Sequence, residues 1–227
     1  DAHDLCATGL TGWISSSSTD YDGDGYGDTV DVFPVDGAQW SDGDGDGFGD
    51  NSDGEGGDQC LLVTGTSNQD RNGCIDTDGD GWSNPDGAWT VAEGADAFPD
   101  EFTQHSDQDG DGYGDASDGV QSDACPLNAG TSTEDRLGCI DSDGDGWSDV
   151  NDALPDDPTQ HSDQDGDGFG DSETGTMPDS CPEISGTSDM ERYGCPDPDG
   201  DGWAGFLDAF PDDERFWSDA DGDGYPD

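Results

Sequence analysis

Apolar residues are sparse along this chain and sit at fixed places inside Asp-Gly-rich stretches. Nowhere do they form the 3.6-residue stripe of an amphipathic helix. No apolar run approaches the roughly 20 residues of a membrane helix. Single rings punctuate polar loops instead. Trp82, Trp147 and Trp203 stand at one repeated position, where the first unit has Tyr26, and Phe48, Tyr113, Phe169 and Tyr225 stand at another. Phe33, Phe98, Leu154 and Phe210 each precede a proline. The pattern predicts an irregular fold with little regular secondary structure. The rings would form small satellite clusters between units that shield carboxylates from water, a carbohydrate-stacking face being the functional alternative.

Repeats organise the chain. Cys60, Cys125 and Cys181 each precede a partner by 14 positions, at Cys74, Cys139 and Cys195. The enclosed loops share Gly-Thr-Ser, at Gly65, Gly130 and Gly186, and an arginine at Arg71, Arg136 and Arg192. Each second cysteine leads into an Asp-rich loop, then Asp-Ala-Phe/Leu-Pro, then another Asp-rich loop. Four units result: residues 1–59 with the single Cys6, 60–124 with an insertion at about 84–95, 125–180, and 181–227. Joining Asp227 to Asp1 gives GDGYPD-DAHDLC, which resembles the internal junctions. That continuity suggests one period of a longer array or a subunit joining head to tail, an arbitrary boundary being the bland alternative.

The eight Asp-rich loops carry the chemistry. Calcium takes six to eight oxygen ligands, and a loop of about twelve residues supplies them from positions 1, 3, 5, 7 (a carbonyl), 9 and 12, with glycine at the sharp turn of position 6. The first loop offers Asp20, Asp22, Asp24, the Tyr26 carbonyl, Asp28 and Asp31. The second offers Asp42, Asp44, Asp46, Phe48, Asp50 and Asp53; the fourth, Asp107, Asp109, Asp111, Tyr113, Asp115 and Asp118; the fifth, Asp141, Asp143, Asp145, Trp147, Asp149 and Asp152. The third has Asp76, Asp78, Asp80 and Trp82, then Asn84 at position 9 and Asp96 displaced by the insertion. The sixth has Asp163, Asp165, Asp167, Phe169 and Asp171, then Thr174 where an acid is expected. The seventh has Asp197, Asp199, Asp201 and Trp203, Gly205 at position 9, and Asp208. The eighth has Asp219, Asp221, Asp223, Tyr225 and Asp227; its position 12 would come from water or from the start of a next copy, near Asp1 and Asp4. At least eight calcium sites follow. Magnesium prefers a stricter octahedron. Zinc and copper prefer nitrogen and sulfur, and His3, His105 and His161 lack partners at metal-ligand spacing.

Charge sharpens this reading. The formal net charge is −55, from 59 acidic residues against four arginines and no lysine, and 27% of residues are hydrophobic. Apolar burial alone cannot offset about 1–2 kcal/mol of ordering entropy per residue, so composition by itself would class the chain as disordered. An acidic tail or a halophilic surface would scatter its acids, whereas these are strictly spaced. Two carboxylates about 4 Å apart repel by about 4 kcal/mol at an effective dielectric near 20, so dozens held together need counterions in defined places. Nucleic acid and anionic membrane are excluded as partners by the near absence of basic residues.

The order D-x-D-x-D-G-x-x-D-x-x-D, then F-P-x-D, then a second D-x-D-G-D-G loop resembles thrombospondin type 3 repeats, closely so over Asp141–Asp171. The resemblance implies a chain wrapped around a row of calcium ions, an elongated calcium-stabilised tandem-repeat rod. It also implies carboxylates that bridge neighbouring ions, and makes Asp36, Asp100, Asp156 and Asp212 candidates for bridging or additional ligands. Cysteine placement departs from that family, so no disulfide layout is carried over.

The equal spacing of the three pairs argues for Cys60–Cys74, Cys125–Cys139 and Cys181–Cys195 disulfides. Ser18 falls where a partner for Cys6 would lie, leaving Cys6 free, buried or bonded to another chain. The repeated arginine is expected to bridge a nearby carboxylate. No secretory leader is visible, so the chain reads as mature sequence. Oxidised cysteines and calcium loops of the extracellular type place it outside the cell or on its surface. No nucleophile–base pair or phosphate loop appears, so the expectation is not an enzyme. It is a calcium-rigidified filament or stalk that contacts copies of itself end to end, with a calcium-dependent adhesin or glycan-binding module as the alternative.

Overall fold

The computed structural model describes residues 19–227. The expectations for Cys6, Ser18, His3, Asp1 and Asp4 lie outside the described residues. Among the described residues one short 3-10 turn, Val91–Glu93, is the whole of the regular structure. Three isolated bridges accompany it: Gly49 with Gly57, Gly114 with Ser122, and Asp179 with Tyr193. The 3-10 turn lies in the insertion. Its Glu93 carboxylate accepts hydrogen bonds from the Thr90 N–H and hydroxyl, both at 2.8 Å.

The irregular chain is ordered by its own carboxylates. In the second loop Asp42 accepts the N–H groups of Gly45 (2.6 Å) and Gly47 (3.0 Å), one on each oxygen. Those glycines have φ of +84° and +96°, which side-chain-bearing residues rarely adopt. The same pair of bonds recurs from the first aspartate of the first, third, fifth, sixth, seventh and eighth loops. Thus Asp-x-Asp-Gly-Asp-Gly encodes a turn around its first carboxylate.

The described residues fall into two compact units. The first runs to Asp107 and includes Gly114–Ser122; the second comprises Gln108–Tyr113 and Asp123–Asp227. In the first unit, the position-7 ring of an odd-numbered loop stacks on the ring just ahead of the following loop: Tyr26 on Trp40 (centroids 5.2 Å apart) and Trp82 on His105 (4.4 Å). In the second unit Trp147 stacks on His161 (4.6 Å) and Trp203 on Trp217 (6.0 Å). The rings thus stack as coplanar pairs inside each repeat, not between repeats as the sequence suggested; Phe169 and Tyr193, with centroids 5.8 Å apart and planes tilted by 33°, do meet across a repeat boundary.

The interior of each unit is more polar than apolar. Gln39, Gln104 and Gln160 are at most 2% exposed. Each amide holds the backbone that follows an even-numbered loop. Gln39 donates to the Asn51 carbonyl and accepts the Asn51 N–H, and Gln160 does the same with Ser172 while also donating to Thr176. Buried amides of this kind are retained because every polar atom is satisfied.

The three expected disulfides are formed, each with Cα atoms 5.1 Å apart: Cys60–Cys74 in the first unit, Cys125–Cys139 and Cys181–Cys195 in the second. Inside each cystine loop a buried serine, Ser67, Ser132 or Ser188, accepts the N–H of the second cysteine at 2.9 Å and donates to the arginine carbonyl four residues on.

Candidate metal centres

Carboxylates converge in the Asp loops. Among the described residues, eight groups of at least three potential ligand residues bring one ligand atom each to within 4.8 Å of the others, among them Asp20–Asp22–Asp24, Asp42–Asp44–Asp46, Asp76–Asp78–Asp80 and Asp141–Asp143–Asp145. These Asp triplets could hold a metal ion.

Two populations of aspartate are distinguishable. One is satisfied by protein donors. Asp70 accepts the Ser83 N–H (2.8 Å), the Ser83 hydroxyl (2.5 Å) and the Trp89 indole (3.0 Å). Asp135 accepts the Ser148 N–H (2.9 Å) and hydroxyl (2.7 Å) and the Asn151 amide. Burial works against ionisation of Asp135, yet these bonds win and hold its carboxyl down at about 2.

The other population faces its own kind. Asp22 and Asp24 in the first loop, Asp44 in the second, Asp78 and Asp96 in the third, Asp143 in the fifth, Asp165, Asp171 and Asp179 in the sixth, and Asp199, Asp201 and Asp208 in the seventh each bury a carboxylate oxygen that no protein donor reaches. Burial raises the carboxyls of Asp24, Asp143, Asp165 and Asp199, and neighbouring carboxylates of the same loops raise them further. Orphaned oxygens packed against like charge are costly without a counterion.

The odd-numbered loops close as their spacing predicts. Asp31, Asp96, Asp152 and Asp208 are all buried, and each accepts, at 2.7 Å, the N–H two residues further on. Asp96 is fully buried. Desolvation, reinforced by Asp80, Asp78 and Asp76, pushes its carboxyl up to about 6 against the bond from Phe98. The carboxylate that the insertion displaces in the sequence therefore lies beside the aspartates of the third loop.

The even-numbered loops close differently. Asp53, Asp118 and Thr174, which occupy position 12, are exposed. The buried carboxylate comes from five residues later, at Asp58 and Asp179, 1% and 8% exposed. Asp58 accepts the Cys60 N–H at 2.6 Å and Asp179 the Cys181 N–H at 2.7 Å, the same two-residue relation as in the odd loops. Asp123 accepts the Cys125 N–H in the same way. Burial, then Asp46, Asp44 and Asp50, raise the Asp58 carboxyl against its backbone bond; burial, then Asp167, Asp165 and Asp171, do so for Asp179. The five extra residues are looped out, and Gln39 or Gln160 ties down the backbone just ahead of the excursion, at Asn51 or Ser172. The recurrent Asp-x-Cys at 58, 123 and 179 was the available signal in the sequence.

Each cystine loop closes over these carboxylates. Gly65 donates to Asp46 at 3.0 Å and Gly186 to Asp167 at 2.8 Å. A Cβ on Gly73 would lie 2.3 Å from Asp58 Oδ1, and one on Gly194 would lie 2.2 Å from Asp179 Oδ1. The far side of the loop donates to the next odd loop: Asn68 and Gln69 to the Gly81 carbonyl, Asp189 and Met190 to that of Gly202.

Position 9 acts as a clasp. Asp28, Asp50, Asn84 and Asp149 accept the position-2 N–H of Tyr21, Gly43, Thr77 and Ser142, at 2.7–3.1 Å. Asp227 likewise accepts the Ala220 N–H. The position-7 N–H donates to the position-5 carboxylate in all eight loops, at 2.8–3.0 Å.

Of the proposed bridging residues, Asp36 sits in a turn and accepts the Ala38 N–H at 3.1 Å, while Asp100, Asp156 and Asp212 are exposed. The structural counterparts of Asp36 are Glu101, Asp157 and Asp213, each of whose N–H bonds the carbonyl of the ring or leucine three residues back. The expected arginine bridge forms at Arg71, which contacts Asp86 at 2.9 Å and lies over the Trp89 ring. Arg136 instead donates to the Ala124 carbonyl.

Comparison with models of protein families and with curated proteins finds no match. No helix among the described residues is long and apolar enough to cross a membrane.

Proposed function

We propose that this chain is an extracellular calcium-binding structural protein, in which cations seated in the Asp loops rigidify a repeat rod that serves as a surface filament or stalk. The observation that carries the reading is the set of buried, donorless carboxylate oxygens in one loop after another, clearest in the sixth, where both oxygens of Asp165 and one each of Asp171 and Asp179 are orphaned. Calcium suits such a site because every ligand is a hard oxygen and the loops are flexible in ligand number. Binding energy then becomes folding energy. The three disulfides suit an oxidising compartment. The likeness to thrombospondin type 3 repeats supports the same reading from the motif side. The stacked rings favour a structural role over a glycan-binding face, since Trp82, Trp147 and Trp203 spend a face on a partner ring.

Assembly through end-to-end contacts is part of the proposal. Electron microscopy of the purified chain in millimolar calcium, before and after a chelator, tests it. Filaments that dissolve on chelation are expected; isolated particles in calcium would leave a monomeric stalk segment and remove the assembly claim.

A further inference from the structure

We propose that the seventh loop is the weakest cation site among the odd-numbered loops, and that Pro198 and Gly205 jointly make it so. The proposal rests on the reading of the Asp loops as cation sites and adds a ranking among them. In the first, third and fifth loops the position-9 side chain, Asp28, Asn84 or Asp149, clasps the position-2 N–H. The seventh loop has lost both halves of that clasp. Position 2 is Pro198, which has no N–H, and position 9 is Gly205, which has no side chain.

The two changes are coupled by space. A Cβ on Gly205 would lie 2.8 Å from Pro198 Cδ and 3.1 Å from Pro198 Cγ. The proline ring therefore fills the place where a position-9 side chain would begin. The backbone still closes, since the Gly205 N–H donates to the Pro196 carbonyl at 2.9 Å, as Asp149 does to Ile140 in the fifth loop. The defect is thus confined to one oxygen ligand and the brace it provides. What remains is a cation site: Asp208 is 92% buried, by its 8% exposure, and its Oδ2 is donorless, as are Oδ2 of Asp199 and of Asp201. Four carboxylates remain, Asp197, Asp199, Asp201 and Asp208, against five in the first and fifth loops. A cation here keeps a water in place of the fifth. Calcium affinity follows ligand charge and rigidity, so this loop empties before the other odd-numbered loops as calcium falls and loosens the stack of Trp203 on Trp217.

The test is a calcium titration of the full, oxidised, ¹⁵N-labelled chain, following the backbone amides of Gly202 and Trp203 in the seventh loop and Gly146 and Trp147 in the fifth. The seventh-loop amides should reach their midpoint at about tenfold higher free calcium. The double variant Pro198→Ser/Gly205→Asp, which restores the fifth-loop pattern, should bring the two midpoints together. Gly205→Asp alone, blocked by the proline ring, should not. Coincident midpoints in the unmodified chain, or a double variant that shifts nothing, would overturn the ranking while leaving the cation reading intact. Amides that ignore calcium in every loop would overturn both.

Discussion

Replacing Asp96 by asparagine should have opposite effects on stability at low and at high calcium. Asp96 is fully buried beside Asp76, Asp78 and Asp80, and its carboxyl is pushed up to about 6 from an ordinary 3.8. A carboxyl whose pKa is raised in the fold stabilises the fold below the unfolded value. That contribution is lost as pH rises through the folded value, here between about 4 and 6. At pH 7.5 the cation-free fold therefore carries a cost of about 3 kcal/mol from this one charge. The substitution removes the charge and keeps an Oδ1 acceptor for the Phe98 N–H. At limiting calcium Asp96→Asn should raise stability by up to about 3 kcal/mol. In saturating calcium the variant should be less stable than the parent, because it lacks a charged ligand. Urea unfolding of the oxidised chain at stepped free calcium, followed by tryptophan fluorescence, gives both curves. They should cross, and the variant's stability should rise less steeply with calcium. A variant less stable at every calcium level would mean that Asp96 is held by its hydrogen bond alone, and the account of the third loop would fail.

Other expectations follow from the same geometry. Asp58→Asn should weaken calcium binding at the second loop by about tenfold or more, while Asp53→Asn, at the exposed position 12, should leave it within error; calorimetric titration separates the two. Gly73→Ala should mimic Asp58→Asn, because the added Cβ would meet the Asp58 carboxylate at 2.3 Å. Removing the Cys125–Cys139 bridge by a double serine substitution should cost about 3 kcal/mol for a loop of this length, measurable as a lower urea midpoint in calcium. Calcium affinity at the third loop should fall as pH drops below about 6, where a proton competes for Asp96. A pH-independent affinity across that range would count against Asp96 as a ligand.

Much of this architecture is legible in the sequence because the code is local. Asp-x-Asp-Gly-Asp-Gly specifies its own turn through bonds between residues three and five apart, so counting positions finds the first three carboxylates and the ring that follows. The 14-residue cysteine spacing gives the disulfides for the same reason. Reading fails where closure is not local. The even loops take their last buried carboxylate from Asp58 or Asp179, past a five-residue excursion that depends on a buried glutamine twelve residues upstream of its first contact. Position counting stops at Asp53 or Thr174. The prolyl turns mislead similarly: Asp100, Asp156 and Asp212 follow the proline directly, but the turn position that Asp36 holds falls one residue later, at Glu101, Asp157 and Asp213. The buried Gln39, Gln104 and Gln160 do recur, as Gln-Trp/His-Ser-Asp ahead of an Asp loop, with Phe216 at that place in the last unit, but the repeat does not reveal their role, which is set by two backbone segments meeting in space.

If cations rather than an apolar core hold this fold together, removing them must unfold it. Thermal unfolding of the oxidised chain, followed by near-ultraviolet circular dichroism in millimolar calcium and in excess chelator at pH 7.5, tests it most directly. A cooperative transition is expected in calcium and none in chelator, with the aromatic signal of the stacked rings already lost at low temperature. A cooperative transition at an unchanged midpoint in chelator would contradict it.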